Sequence, residues 1–84
     1  MDIKEVLAKR MQDLGYSNYR IAQLISHLRA EGDEVPPVTR YSSGVNRALS
    51  EPRKSKFETL EEIVNVLDGE FYIRWHNPED IKLD

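Results

Sequence analysis

Apolar residues recur at intervals of three and four along four successive stretches of this chain, and that spacing predicts amphipathic α-helices. The first helix is expected to begin at a capping box formed by Asp2 and Glu5 and to stop at Gly15. The second is expected to begin after Ser17, a favoured N-cap residue, and to end near Gly32. The residues predicted to be buried on these two helices are Ile3, Val6, Leu7, Met11, Leu14, Ile21, Ala22, Leu24, Ile25 and Leu28.

A basic turn separates the third and fourth predicted helices. Helical spacing predicts a third helix from about Pro37 to Ser50, and Pro52 marks its end. Ser55 and Glu58 have the spacing of a second capping box, so the fourth helix is expected to begin there and to close at Gly69. The residues predicted to be buried on these two helices are Val38, Tyr41, Val45, Leu49, Phe57, Leu60, Ile63, Val64 and Leu67.

A short β-strand is predicted after the helices, from Glu70 to Trp75. The run "EFYIRW" places Phe71, Ile73 and Trp75 on one side, which is typical of a half-buried strand. A lone strand needs a partner, so we expect it to fold back on the helical core or to pair with the same strand of a second copy in a homodimer. The tail "HNPEDIKLD" is expected to lack regular structure. The predicted organisation is a helical domain over residues 1–69, followed by a strand and tail over residues 70–84.

Length and composition exclude several classes of function. A chain of 84 residues buries only about 60 to 65% of its unfolded surface, so a large enclosed active site is not expected. It has no cysteine, which excludes disulfides and thiolate zinc sites, and neither His27 nor His76 has a partner at metal-ligand spacing. The sequence carries no phosphate-binding loop, hydrolase elbow or metalloprotease motif. We therefore expect no enzyme activity, no metal and no cofactor.

Charge is distributed unevenly along the chain, whose net charge is -3. Residues 35–57 carry five basic side chains against Glu51 alone, which gives +4, whereas residues 58–84 carry two basic and eight acidic ones, which gives -6. A basic middle segment can face phosphate while the acidic remainder points away, as in a nucleic-acid-binding protein. The first residues are charged and no apolar run is long enough to cross a bilayer, so we expect a cytoplasmic protein.

The segment "SSGVNRALSEPRKSKFETLEEIVNVLDG" resembles the lambda-repressor-like (XRE, Cro-type) helix-turn-helix DNA-binding family, in which a recognition helix, a polar loop and a supporting helix follow in this order. The run "GYSNYRIAQLI" is similar to the opening of the family's second helix. The resemblance covers about Ile3 to Gly69 and is most specific from Ser42 to Leu67. It implies an all-α fold of four to five helices and a bacterial or phage transcription regulator that places helix 37–50 in the major groove of double-stranded DNA. The segment 29–39 is longer than the family's usual turn.

The resemblance also implies roles for individual residues. Ser42, Ser43, Asn46 and Arg47 fall where the family faces the major groove, and Arg40 lies on the same side of the helix. Arginine can present two parallel donors to guanine, and asparagine matches the donor and acceptor edge of adenine. Gly44 is expected either to let the helix backbone approach the duplex or to pack closely against the second helix. Phosphate contacts are expected at the start of the second helix and in the basic turn, from Ser17, Asn18, Arg53, Lys54 and Lys56.

Two other functions fit parts of the sequence. An antitoxin-like or adaptor module would keep the helix-turn-helix frame and bind a protein such as a toxin. The combination of Arg40, Asn46 and Arg47 with a basic turn favours DNA over that alternative. RNA binding would use Phe71, Tyr72 and Trp75 to stack bases, but acidic residues surround that strand.

Overall fold

The computed structural model describes residues 2–76 and 80–82 of the chain. The four predicted helices are present, so the domain is mainly helical, as expected. The helices are α1 (Ile3–Leu14), α2 (Asn18–Leu28), α3 (Thr39–Ser50) and α4 (Phe57–Val66), with a 3-10 turn at Pro52–Lys54 between the last two. Two short strands follow, β1 (Tyr72–Arg74) and β2 (Asp80–Lys82).

The four helices bury one core, and most of the predicted apolar stripes face it. Ile21 and Ile63 are completely enclosed, and the Ser26 hydroxyl beside them donates a hydrogen bond of 2.8 Å to the carbonyl of Gln23. Because this buried hydroxyl has a partner, it adds no unsatisfied polar group to the core. The buried apolar residues are Leu7, Ile21, Ala22, Ile25, Val45, Ala48, Leu60, Ile63 and Leu67.

Three residues predicted to be buried on the helices are exposed instead. Val6 lies about 100° around α1 from Leu7, so it faces away from the side that packs. Leu28 is the last residue of α2, where the chain leaves the bundle. Phe57 is 50% exposed because it opens α4 at the rim of the core, where its ring lies 5.2 Å from that of Phe71. The apolar periodicity therefore predicts most of the core, but it does not identify the residues that lie just outside it, on the outer side of α1, at the end of α2 and at the start of α4.

The ends of α1 and the start of α2 follow the local signals. The Asp2 carboxylate accepts a hydrogen bond from the backbone N–H of Lys4, and Gly15 takes the left-handed conformation with φ of 72°. Ser17 caps α2, because its Oγ accepts a 3.1 Å hydrogen bond from the backbone N–H of Arg20. The predicted caps at Asp2, Gly15 and Ser17 are confirmed, and they fix where the two helices begin and end. Asp2 bonds the N–H of Lys4 and not that of Glu5, so the predicted pairing of Asp2 with Glu5 in a capping box is not the one observed.

The ends of α4 differ from the prediction. Ser55 does not cap this helix, because its hydroxyl donates to the carbonyl of Glu51 at 3.2 Å and thereby closes the preceding turn. Lys56 occupies the N-cap position without a side-chain hydrogen bond. At the other end Asp68, and not Gly69, takes the left-handed conformation, with φ of 61°. The N–H of Gly69 still donates to the Val64 carbonyl at 2.9 Å, which completes a Schellman motif one residue earlier than expected.

Residues 29–38 connect α2 to α3 and confirm the predicted extension of this connection. α2 ends at Leu28 instead of continuing towards Gly32, because Glu31 and Glu34 exchange backbone hydrogen bonds of 2.9 and 3.0 Å around a tight turn. Gly32 sits in that turn with φ of 60°, a conformation that glycine adopts without strain. α3 begins at Thr39, two residues later than the predicted start. The extra length therefore forms a loop and does not lengthen α2.

The predicted C-terminal strand is present, but its partner and its burial are not those expected. β1 pairs antiparallel with β2, with Ile73 opposite Ile81, so part of the tail expected to lack regular structure forms a strand. Residues 77–79 and 83–84 of that tail lie outside the described residues. Only Phe71 of the predicted apolar side packs against the core, whereas Ile73 is 41% and Trp75 54% exposed. The prediction of a half-buried strand is therefore wrong for β1 itself, which is exposed at all three residues.

Candidate nucleic-acid interface

The start of α2 and the middle of α3 meet at a pair of amide side chains. Asn18 Nδ2 donates a 3.0 Å hydrogen bond to Asn46 Oδ1, across 28 residues of sequence. Both side chains are at the surface. The oxygen of Asn46 has a second lone pair, and its own NH2 group makes no hydrogen bond within residues 2–76 and 80–82. The bond therefore orients Asn46 while leaving it able to donate and to accept.

The outward face of α3 carries the other predicted base-reading residues. The helix turns Val45 and Ala48 into the core. Arg40, Gly44 and Arg47 follow at positions i, i+4 and i+7, so they form one row along the exposed side. Ser43, Asn46 and Ser50 form the adjacent exposed row. The predicted face thus exists as one continuous polar surface about two rows wide, and we call it the α3 face.

Ser42 and Gly44 need separate comment. Ser42 is half-buried, and its hydroxyl donates to the Thr39 carbonyl at 3.4 Å, so it belongs to the edge of the α3 face. A Cβ atom at Gly44 would meet nothing within 4 Å. Close packing of Gly44 against α2, one of the two interpretations of this residue, is therefore wrong. Its backbone is accessible from outside the helix.

The basic turn after α3 lies at the surface, and its charges are not all equivalent. Lys54 Nζ is 3.1 Å from Glu51 Oε2, which offsets part of its charge. Within the described ranges, Arg53 and Lys56 form no salt bridge, and both are exposed. Pro52 is buried and anchors the turn to the bundle. Arg53 and Lys56 are therefore better placed than Lys54 to interact with an external anion.

The first turn of α2 presents a different kind of polar group. Ser17 uses its hydroxyl as the helix cap, so only its remaining lone pair and hydroxyl hydrogen are available for another contact. The N–H groups of the first helical turn lack intrahelical partners, and the positive end of the helix dipole lies here. Tyr19 is exposed beside Asn18, and the sequence interpretation missed it. Its only sequence signal is its position in the first turn of α2.

An open cavity of about 420 Å³ lies between α1 and α3 and adjoins the pair of asparagines. Lys4 and Gln12 of α1 line it together with Asn18 and Asn46. The sequence interpretation did not include Lys4 or Gln12, because nothing in the local pattern of α1 places them near α3. Lys4 adds a positive charge to the same side of the molecule as Asn46.

A cluster of Arg29, Tyr41 and Glu62 links the end of α2 to α3 and α4. Arg29, just after α2, donates from Nε to Glu62 Oε2 at 2.9 Å and from Nη2 to Glu62 Oε1, so the pair is bidentate. The Arg29 guanidinium carbon also lies 5.4 Å from the centre of the Tyr41 ring in α3. The hydrogen bond and negative charge of Glu62 raise the pKa of Arg29. Glu62 therefore helps to hold α2, α3 and α4 together.

Residues 2–76 and 80–82 contain no group of three or more His, Cys, Asp or Glu side chains placed to hold a metal ion. None of the helices described in these ranges has both the length and the apolar composition needed to span a bilayer. The predicted dimerisation residues Phe71, Ile73 and Trp75 lie in and beside β1, in a different part of the sequence from the α3 face.

No family model, curated protein or solved structure matches this chain significantly.

Proposed function

We propose that this chain is a sequence-specific double-stranded DNA-binding protein, a lambda-repressor-like helix-turn-helix transcription regulator of bacterial or phage type. The observation that carries the proposal is the 3.0 Å hydrogen bond between Asn18 and Asn46. It joins a residue predicted to contact phosphate with a residue predicted to read bases. A helix-turn-helix protein needs such a link, because contacts to the phosphates set the position from which the recognition helix reads base edges.

Base reading is assigned to the α3 face. Arg47 presents a planar guanidinium that suits guanine, and the oriented amide of Asn46 suits adenine. Arg40 lies on the row of Arg47, about two helical turns away, and extends the readout or contacts a phosphate. Neither Arg40 nor Arg47 forms a salt bridge within the described part of the chain, so their charges are available to DNA.

Backbone positioning is assigned to the surroundings of the α3 face. The start of α2 offers backbone donors at a positive helix end, which suits a phosphate oxygen. Arg53, Lys56 and Lys4 supply positive charge near the C-terminal end of α3. Such contacts raise affinity for every duplex and fix the orientation of the protein without selecting a sequence.

A selection of bound duplexes from a random DNA pool tests the proposal directly. Enrichment of a defined motif supports it, whereas no enrichment refutes sequence-specific binding. A flat selection would instead favour the second candidate, an antitoxin-like or adaptor module that binds a protein. The exposed aromatic residues Tyr72 and Trp75 are the observation that favours such a partner.

A matched pair of variants separates reading from electrostatic attraction. Arg47→Ala is expected to weaken specific binding by about 1 to 3 kcal/mol and to relax the preference at one base pair. Lys56→Ala is expected to weaken binding to all duplexes alike and to reduce the salt dependence by about one unit. Lys56 is the better control than Lys54, because Lys54 already pairs with Glu51. If both variants lower specific and non-specific affinity by the same factor, α3 does not read the sequence.

A further inference from the structure

Among the described residues, no strand lies beside the outer edge of β1. The sheet contains two strands within residues 2–76 and 80–82, so β1 pairs with β2 on one side only. A two-stranded hairpin is marginally stable in water unless it packs on something else. All three residues of β1 are exposed, and within the described part of the chain neither Tyr72 nor Ile73 packs on the helical core. An exposed strand edge of this kind readily pairs with another strand.

The sequence around β1 is chemically symmetric about Ile73. If two copies of "EFYIRWH", residues 70–76, run antiparallel with Ile73 opposite Ile73, each pair of opposing residues is complementary. Tyr72 then faces Arg74, which gives a cation–π pair, and Phe71 faces Trp75, which gives an aromatic pair. Glu70 faces His76, so the outermost pair joins an acidic side chain to an imidazole, beside the 2.9 Å ion pair that Glu70 already forms with Lys82 of its own chain.

We propose that a second copy of this chain pairs with β1 edge to edge, in an antiparallel register centred on Ile73. The result is a four-stranded sheet in the order β2, β1, β1, β2, and a twofold axis through its centre relates the two copies. Phe71, Ile73 and Trp75 of both copies lie on one face of this sheet, because alternate residues of a strand share a side. The rings of Phe57 and Phe71, 5.2 Å apart within each copy, extend that apolar face towards the helices.

The register follows from the extent of β1. Centring on Ile73 pairs all three residues of β1, Tyr72–Arg74, with the same three residues of the second copy. A shift to Tyr72 would place Trp75 opposite Gly69, which offers no side chain to pack against. The competing edge is that of β2, where Asp80 and Lys82 would also oppose each other about Ile81. The experiment must therefore distinguish three ways of pairing two copies: through β1 centred on Ile73, through β1 centred on Tyr72, and through β2 centred on Ile81.

The lack of cysteine makes this test direct, since single cysteines can be introduced into an otherwise thiol-free chain. Directly opposed residues of an antiparallel pair have Cα atoms about 4.5 or 5.5 Å apart, which suits a disulfide. Residues offset diagonally, as Tyr72 of one copy would be from Tyr72 of the other, lie about 7 to 8 Å apart, which is too far for a disulfide. Ile73→Cys is therefore expected to form a disulfide-linked dimer at least about tenfold faster than Tyr72→Cys under mild oxidation.

The outcomes are distinct. Fastest cross-linking of Tyr72→Cys overturns the register, and fastest cross-linking of Ile81→Cys overturns the choice of edge. Sedimentation of the wild-type protein at high micromolar concentration is expected to show a dimer. The Ile73→Lys variant is expected to be a monomer, because two ammonium groups would oppose each other. An unchanged helical circular dichroism spectrum shows that the variants remain folded. A monomeric wild type at these concentrations refutes the proposal, whether or not the chain binds DNA.

Discussion

Gly44→Ala is expected to stabilise the protein and to weaken its binding to DNA. Gly44 lies inside α3, where glycine costs about 1 kcal/mol relative to alanine. The new methyl group would meet nothing within 4 Å, so no strain offsets that gain. We therefore expect the free energy of unfolding to rise by about 1 kcal/mol, which corresponds to an increase in Tm of about 4 to 8 °C for a domain of this size. Denaturant and thermal unfolding followed by circular dichroism measure both quantities.

The effect on DNA has the opposite sign because Gly44 lies on the row between Arg40 and Arg47. If the helix backbone approaches the duplex here, an added methyl group holds α3 away from the groove. Displacement that breaks one bidentate base contact costs about 1 to 3 kcal/mol of binding free energy. Fluorescence anisotropy with a duplex from the selection experiment measures this loss.

Asp68→Gly is the matched control. Asp68 has φ of 61° at the end of α4, where glycine is the favoured residue, so this variant should also gain up to about 1 kcal/mol of stability. It lies outside the α3 face and is expected to bind DNA as the wild type does. If Gly44→Ala also binds with wild-type affinity, the backbone of α3 does not approach DNA at this position, and our account of Gly44 is wrong.

The other predictions concern contacts between helices. Arg29→Ala is expected to lower the free energy of unfolding by about 1 to 2 kcal/mol, because it removes a half-exposed bidentate ion pair and a cation–π contact. Glu62→Gln is expected to lower it less, because Arg29 keeps its contact with the Tyr41 ring. Equal losses for the two variants in chemical denaturation would show that the contact with Tyr41 adds no stability. Asn18→Ala and Asn46→Ala are expected to weaken DNA binding non-additively, with a coupling energy of about 0.5 kcal/mol or more in a double-mutant cycle. Additive effects in that cycle would mean that Asn18 does not orient Asn46 on DNA.

The sequence predicts the helices well where the decisive signals are local. Asp2, Gly15 and Ser17 act within a few residues of themselves, and each does what its type and position indicate. The same kind of signal fails at Ser55, because the carbonyl of Glu51 competes for its hydroxyl. Asp68 takes the left-handed position ahead of Gly69, since α4 ends one residue sooner than the glycine suggests. Two adjacent candidates for one role cannot be ranked from residue type alone.

The candidate interface was only partly predictable, for a related reason. Exposure of Arg40, Ser43 and Arg47 follows from helical periodicity once Val45 and Ala48 are known to face the core. The bond between Asn18 and Asn46 depends on how α2 packs against α3, which no local pattern encodes. The place of Lys4 beside Asn46 depends likewise on the position of α1.

The loop at residues 29–38 has a consequence for engineering. Its first residue is fixed by Glu62 and Tyr41, and Val38 at its other end packs against the core, so both ends are anchored independently of the tip. The tip turns at Gly32 and Asp33 and is exposed to solvent. Exposed loop tips accept inserted sequence readily, and each doubling of loop length costs only about 0.6 kcal/mol in closure entropy. A peptide tag or a reporter domain can therefore be grafted between Gly32 and Asp33 without altering how α2 and α3 pack.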